Sequence, residues 1–77
     1  MEEKLLAITN LMRANKKLAP LPELRPEMQL RNDIGFDSFD LAELTVRLEE
    51  EFKVDVFADG LIHRVDEVMQ RLQSGPR

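Results

Sequence analysis

The residues with chemistry to offer are gathered around one hydroxyl. Ser38 stands in the run Asp33-Ile34-Gly35-Phe36-Asp37-Ser38-Phe39-Asp40, with carboxylates on both sides and a glycine three residues before it. A serine so placed can be a nucleophile, a helix cap or a modification target. The first use needs a base and an oxyanion hole. The only histidine, His63, lies in a weakly helical segment, and no G-x-S-x-G elbow exists. A serine hydrolase is therefore excluded, and no catalytic residue is assigned. A calcium loop starting at Asp33 also fails. The EF-hand pattern wants glycine at its sixth position and glutamate at its twelfth, and these fall on Ser38 and Leu44. Asp37 and Asp40 could bind a divalent ion only unspecifically, and no metal site is expected. Capping and modification both remain open from the residues alone.

The element that must position Ser38 begins at the serine itself. Gly35 permits a backbone turn that a Cβ resists. Asp37 or Ser38 is a natural N-cap, and Asp40 suits the positive end of the helix dipole. From there Leu41, Leu44, Leu48 and Phe52 recur at helical spacing, with Thr45 on the same stripe, so this face turns to a core. Phe39, Glu43, Val46 and Glu50 form a second face that mixes apolar side chains with carboxylates, the composition of a contact surface.

Charge is unevenly spread. From Asp37 to Glu51 six acidic residues face one basic residue, Arg47, a net of −5, while the first 31 residues carry +2 and the whole chain −4. A focused negative helix attracts basic partners and repels nucleic acid.

The rest of the chain reads as support. Residues 2 to about 17 form a first helix on Leu5, Ile8 and Met12 with help from Leu11. Glu2 and Glu3 sit near its start, and Lys16 and Lys17 near its end. Pro20, Pro22 and Pro26 keep residues 18 to 32 out of regular helix. Leu21, Leu24, Met28, Leu30 and Ile34 would pin this long loop over the core. Lys53-Val54-Asp55-Val56-Phe57 reads as an extended linker with both valines inward, since no second strand exists to pair with it. Residues 58 to 63 could form one short helical turn. The last helix runs from about Val65 to Gln73 on Val65, Val68, Met69 and Leu72. Ser74-Gly75-Pro76 stops it, and Arg77 is expected to fray.

Seventy-seven residues make one small domain, 1–77. Without cysteine it has neither disulfides nor thiolate metal sites to brace it. No apolar run reaches membrane-span length, and the acidic start Met1-Glu2-Glu3 is unlike a signal peptide. A cytoplasmic monomer is expected.

The run from Asp33 to Asp40, continued by Leu41-Ala42-Glu43-Leu44 and Leu48-Glu49-Glu50-Glu51-Phe52, resembles the acyl carrier protein family. That family shows a D-x-G-x-D-S-hydrophobic-D core and an acidic helix ending in L-E-E-x-F. The specific match spans Asp33 to Phe52. From Leu5 to Leu72 the likeness is of pattern and length. The resemblance implies an all-α four-helix bundle with a long first loop and a short third helix. It implies that Ser38 accepts 4′-phosphopantetheine from coenzyme A, by the action of a phosphopantetheinyl transferase. The arm's thiol would hold an acyl or aminoacyl group as a thioester, and would be the molecule's only thiol. Asp37, Phe39, Asp40, Glu43, Val46, Arg47, Glu49 and Glu50 would then form the face for loading ligases or synthases with basic docking patches. Such a free-standing carrier catalyses nothing.

Two departures bear on the cargo. Phe39 replaces the usual leucine, and the segment from Phe57 to Ile62 is shorter than in carriers of fatty acid synthesis. They point to a specialised fatty acid or polyketide-type pathway. A third, Arg47 in place of a small or apolar residue, bears on the choice of partner. Aminoacyl and D-alanyl carriers share the layout, whereas the G-G-x-S core usual in peptidyl carriers is absent. An unmodified acidic helical interaction module is the alternative outside the family's chemistry.

Overall fold

The computed structural model describes residues 2–58 and 60–74. Among them three helices form and no strand: α1 (Glu2–Asn15), α2 (Ser38–Phe52) and α3 (Val65–Gln73). The expected stop at Gly75-Pro76 and the fraying of Arg77 lie outside the described residues, as does Asp59 of the expected short helix.

Glu2 and Glu3 occupy the first turn of α1 and Arg13 its last, matching the dipole. The buried stripe is Leu5, Thr9 and Met12, with Ile8 half-buried beside it. Leu11, expected to support this stripe, is instead 50% exposed. It precedes Met12 by one residue, and one step on a helix turns the side chain about 100° away from the core. The helix ends two residues short of expectation. Lys17 takes a left-handed conformation at φ 63°, and the Leu18 N–H donates back to the Arg13 carbonyl at 2.9 Å.

The long first connection is held down along its length. The Asn10 side chain both accepts from the Leu21 N–H at 2.8 Å and donates to the Leu21 carbonyl at 3.0 Å. Arg13 donates to the carbonyls of Ala19 and Ile34. Met28, Leu30 and Ile34 are buried, with Leu21 and Leu24 packed against them, as the apolar pattern predicts. Phe36, not singled out by periodicity, is 2% exposed and heads the fully buried side chains by volume. An isolated antiparallel bridge between Gln29 and Arg64 ties this loop to the approach of α3. Its hydrogen bonds run from the Leu30 N–H to the His63 carbonyl and from the Val65 N–H to the Met28 carbonyl. Gly35 has φ +89°, and a Cβ there would lie 3.3 Å from Leu18 Cδ1, so both backbone and packing favour glycine.

Helix α2 buries Leu41, Leu44 and Leu48 and half-buries Phe52. The Thr45 hydroxyl donates to the Leu41 carbonyl at 2.9 Å. Lys53 closes the helix at φ 62°. The linker beyond it buries Val56 and half-buries Val54. The short helix expected at 58–63 is not formed among the described residues. Residues 56–58 make a turn instead, in which the Asp55 carboxylate accepts from the Phe57 N–H at 3.0 Å. Gly60 follows at φ +121°, outside helical backbone. Helix α3 has the predicted bounds and stripe, with Val65, Val68 and Leu72 buried. Glu67 anchors its first turn, accepting from the N–H groups of His63 and Arg64 at 3.0 Å each. Those bonds, the His63 one foremost, hold its carboxyl below the usual range against the opposing effect of burial.

Phe36→Ala is expected to cost about 3–5 kcal/mol of folding stability, while Leu11→Ala should stay within about 0.5 kcal/mol. Urea titrations of both variants check this assignment. A reversed order would place Leu11, and not Phe36, in the core.

Candidate functional site

Ser38 is the first residue of α2 and its side chain is exposed. Asp37 is the N-cap, at φ −96° and ψ −173°. Its carboxylate accepts from the Asp40 N–H at 2.9 Å, and the Asp40 carboxylate accepts from the Asp37 N–H at 3.0 Å. This reciprocal capping box settles which of Asp37 and Ser38 caps, and it leaves the Ser38 hydroxyl outside the cap. The Ser38 Oγ accepts instead from Arg31 Nη2 at 2.8 Å. A helix start leaves its first N–H groups without intrahelical partners, so the hydroxyl stands in a field that favours an anion.

Asp40 has a different role from its acidic neighbours. It is buried, 8% exposed, and accepts from Lys16 Nζ at 2.5 Å. Lys16 also donates to the Gly35 carbonyl at 2.9 Å. Burial alone would push the Asp40 carboxyl up. The hydrogen bond from Lys16, with those from Asp37, outweighs burial and holds it below the ordinary aspartate value. The bond to Asp40 in turn raises the Lys16 ammonium.

The predicted docking residues are therefore not equivalent. Asp37, Phe39, Val46, Glu49 and Glu50 are exposed, Phe39 at 79% and Val46 at 57%. Glu43 and Arg47 are half-buried and paired with each other, Arg47 Nε lying 2.8 Å from Glu43 Oε2. Asp40 differs from them in being buried, with its carboxylate turned inward to Lys16. An open cleft of about 450 Å³ lies between α1 and the C-terminal half of α2, lined by Lys4, Ala7, Ile8, Arg47, Glu50 and Glu51. Arg31 escaped the sequence reading. It lies seven residues before Ser38 in an irregular loop, where no periodicity links the two.

A family model described as the phosphopantetheine attachment site matches residues 7–64. Among curated proteins, an acyl carrier protein of Syntrophus aciditrophicus (strain SB) is 38% identical over 53 residues, which is 66% of this chain and 66% of that protein. An acyl carrier protein of Nitratidesulfovibrio vulgaris (strain DP4) is 46% identical over 37 residues, 48% of this chain and 49% of that protein. The match thus spans just under two thirds of the first relative and about half of the second. No solved structure matches the chain.

The Lys16–Asp40 pair generates a pH dependence of definite sign. The lowered Asp40 value contributes stability above the unfolded aspartate range of about 4, which is lost as pH falls through the folded value. The raised Lys16 value contributes below its unfolded value, and this is lost as pH rises through the folded one. Lys16→Met should therefore be less stable than wild type near neutrality. The gap should close towards both pH 3 and pH 11. Urea midpoints across that range measure it, and a constant gap would assign the effect of Lys16 to its aliphatic packing.

Proposed function

Because the chain belongs to the acyl carrier protein family, whose members carry a phosphopantetheine attachment site, we propose that it is a carrier and not a catalyst, with Ser38 as its attachment residue. The observation that carries this reading is the exposed Ser38 hydroxyl at the start of α2, left free by the Asp37–Asp40 box within the D-x-G-x-D-S-F-D run. The family attaches 4′-phosphopantetheine covalently. The residues at Ser38 fit such a group. Its phosphodiester is an anion, and the site offers a helix N-terminus and the Arg31 guanidinium.

In the attachment step the Ser38 oxygen forms a bond to the pantetheine-bearing phosphorus of coenzyme A. The phosphoanhydride bond breaks, adenosine 3′,5′-bisphosphate leaves, and the hydroxyl proton passes to a base of the transferase. Once attached, the arm would supply a thiol able to carry an acyl group as a thioester. The proposed cargo class is a fatty acyl or polyketide-type intermediate of a specialised pathway, with Phe39 and the short stretch before α3 as the reasons. In this reading 1–77 is one carrier domain acting as a monomer in the cytoplasm.

Phe39 and Val46 amid Asp37, Glu43, Glu49 and Glu50 make the docking face in this proposal. Its partners are a phosphopantetheinyl transferase and loading or condensing enzymes with basic patches, since opposite charge accelerates encounter and selects partners.

Intact-protein mass spectrometry tests the attachment. After incubation with coenzyme A, magnesium and a broad-specificity transferase, wild type should gain one phosphopantetheinyl group. Ser38→Ala should gain none and keep the same helical circular dichroism. A folded wild type that gains nothing with several transferases would leave an unmodified acidic interaction module.

The docking face has its own test in the transfer rate. Glu50→Lys and Glu43→Lys should each slow transfer about 3–10-fold at low ionic strength and flatten its salt dependence. Rates equal to wild type would remove these carboxylates from the interface.

A further inference from the structure

Resting on the reading of Ser38 as the attachment residue, we infer that Arg31 is the positioning residue for the arm, pairing with the phosphodiester once it is formed. The cations elsewhere on the molecule are mostly engaged. Lys16 holds Asp40 and the Gly35 carbonyl, and Arg13 holds the carbonyls of Ala19 and Ile34. Lys4, Arg25, Arg47 and Arg64 pair with Glu51, Glu27, Glu43 and Asp66. Arg31 is placed differently. Among the described residues no carboxylate pairs with it, although Asp33 and Asp37 are close in sequence, and its partner is a side-chain hydroxyl where Arg13, Lys53 and Arg71 bind backbone carbonyls. Its guanidinium donates to the Ser38 hydroxyl at 2.8 Å, a charged donor facing a neutral acceptor.

That contact is weaker than the same donor facing an anion. The present bond is assisted by one charge; an anionic acceptor adds Coulombic attraction and allows the two parallel bonds of a guanidinium fork. Phosphopantetheinylation would supply the missing charge on the phosphate attached to the atom Arg31 already touches. The esterified Ser38 oxygen would carry the phosphorus, whose two non-bridging oxygens would be the acceptors a guanidinium fork pairs with. The requirement is electrostatic as well. Asp37 adjoins Ser38, and the net charge of α2 is strongly negative, so an added phosphodiester meets repulsion. Arg31 is positioned to offset it. The loop carrying Arg31 is fixed by the burial of Leu30 on one side and Ile34 on the other. The Leu30 N–H bond to the His63 carbonyl at 2.8 Å anchors it further. The guanidinium is thus offered from an ordered backbone, which lowers the entropy lost on pairing.

The consequence is a directed arm. A phosphate held towards Arg31 restricts the first rotatable bonds of the pantetheine chain and biases it to the Arg31 side of the α2 terminus.

The test uses the protein alone, loaded and unloaded, so that an effect on a partner cannot imitate it. Wild type, Arg31→Ala and Arg31→Lys are loaded from coenzyme A by a transferase run to completion, and loading is verified by mass. Phosphorus NMR then compares the native phosphodiester signal with that in denaturing urea. In wild type the native signal should be displaced from the denatured one. In Arg31→Ala the displacement should largely disappear, and in Arg31→Lys it should be intermediate, since an ammonium keeps the charge and loses the fork. The change in melting temperature on loading should be more favourable in wild type than in Arg31→Ala by about 2–4 °C, and the difference should shrink in molar salt. A merely structural Arg31 would lower the unloaded and loaded melting temperatures equally and leave the phosphorus signal unmoved, which would overturn the inference. Failure of wild type to gain the arm would remove the attachment reading, and this inference with it. Loading with identical phosphorus spectra in wild type and Arg31→Ala would remove the inference alone.

Discussion

The ion pair of Lys16 with Asp40, at 2.5 Å, joins the end of α1 to the first turn of α2 across 24 residues of chain. The start of α2, and with it the place of Ser38, depends on it. The Asp40 carboxylate would be costly to bury without a partner. Lys16 supplies one, and the same ammonium binds the Gly35 carbonyl at the turn before the helix. With Asp40 held, its second contact with the Asp37 N–H completes the capping box and fixes where α2 begins. The serine is thereby set one residue inside the helix, with its hydroxyl outward.

The same arrangement divides the labour among the carboxylates of α2. Asp40 is turned inward and structural. Glu43 is tied to Arg47 four residues on, the favourable helical order of acid before base. Asp37 caps, while Glu49 and Glu50 remain on the exposed surface with Phe39 and Val46. An acidic run that looks uniform in sequence is thus three things in space: a clamp, a side-chain pair and an open face.

The long loop between α1 and α2 is as much a part of the core as the helices. Met28, Leu30, Ile34 and Phe36 bring four buried apolar side chains from irregular backbone. In so short a chain the three helices alone expose too much apolar surface to one another's solvent-facing gaps, and the loop closes them. Its polar backbone is satisfied by Asn10, by Arg13 and by the bridge to the approach of α3. The loop that closes the core also carries Arg31 to the serine, so stability and site geometry share one segment.

Spacing alone determined the helices: Leu41, Leu44 and Leu48 repeat at helical period, and Val65, Val68 and Leu72 do the same with the boundaries observed. The serine in its acidic, glycine-preceded setting was equally legible, because turn and cap preferences are local properties of a few adjacent residues. Tertiary structure decided the rest. Phe36 lies in irregular chain, where no period announces burial, and Leu11 obeys the helix yet misses the core. Asp40 reads as one more surface acid until Lys16 arrives from the far end of the loop. The short helix expected before α3 gives way to a turn, since Asp55 offers the backbone a local alternative and Gly60 turns at positive φ. The contact of Arg31 with Ser38 depends on the path of a loop pinned by distant side chains. Local preferences fix what each segment can be. Which side chains meet across the loops is set by the packing and charge pairing of residues far apart in the chain, and those pairings have no signature along the sequence.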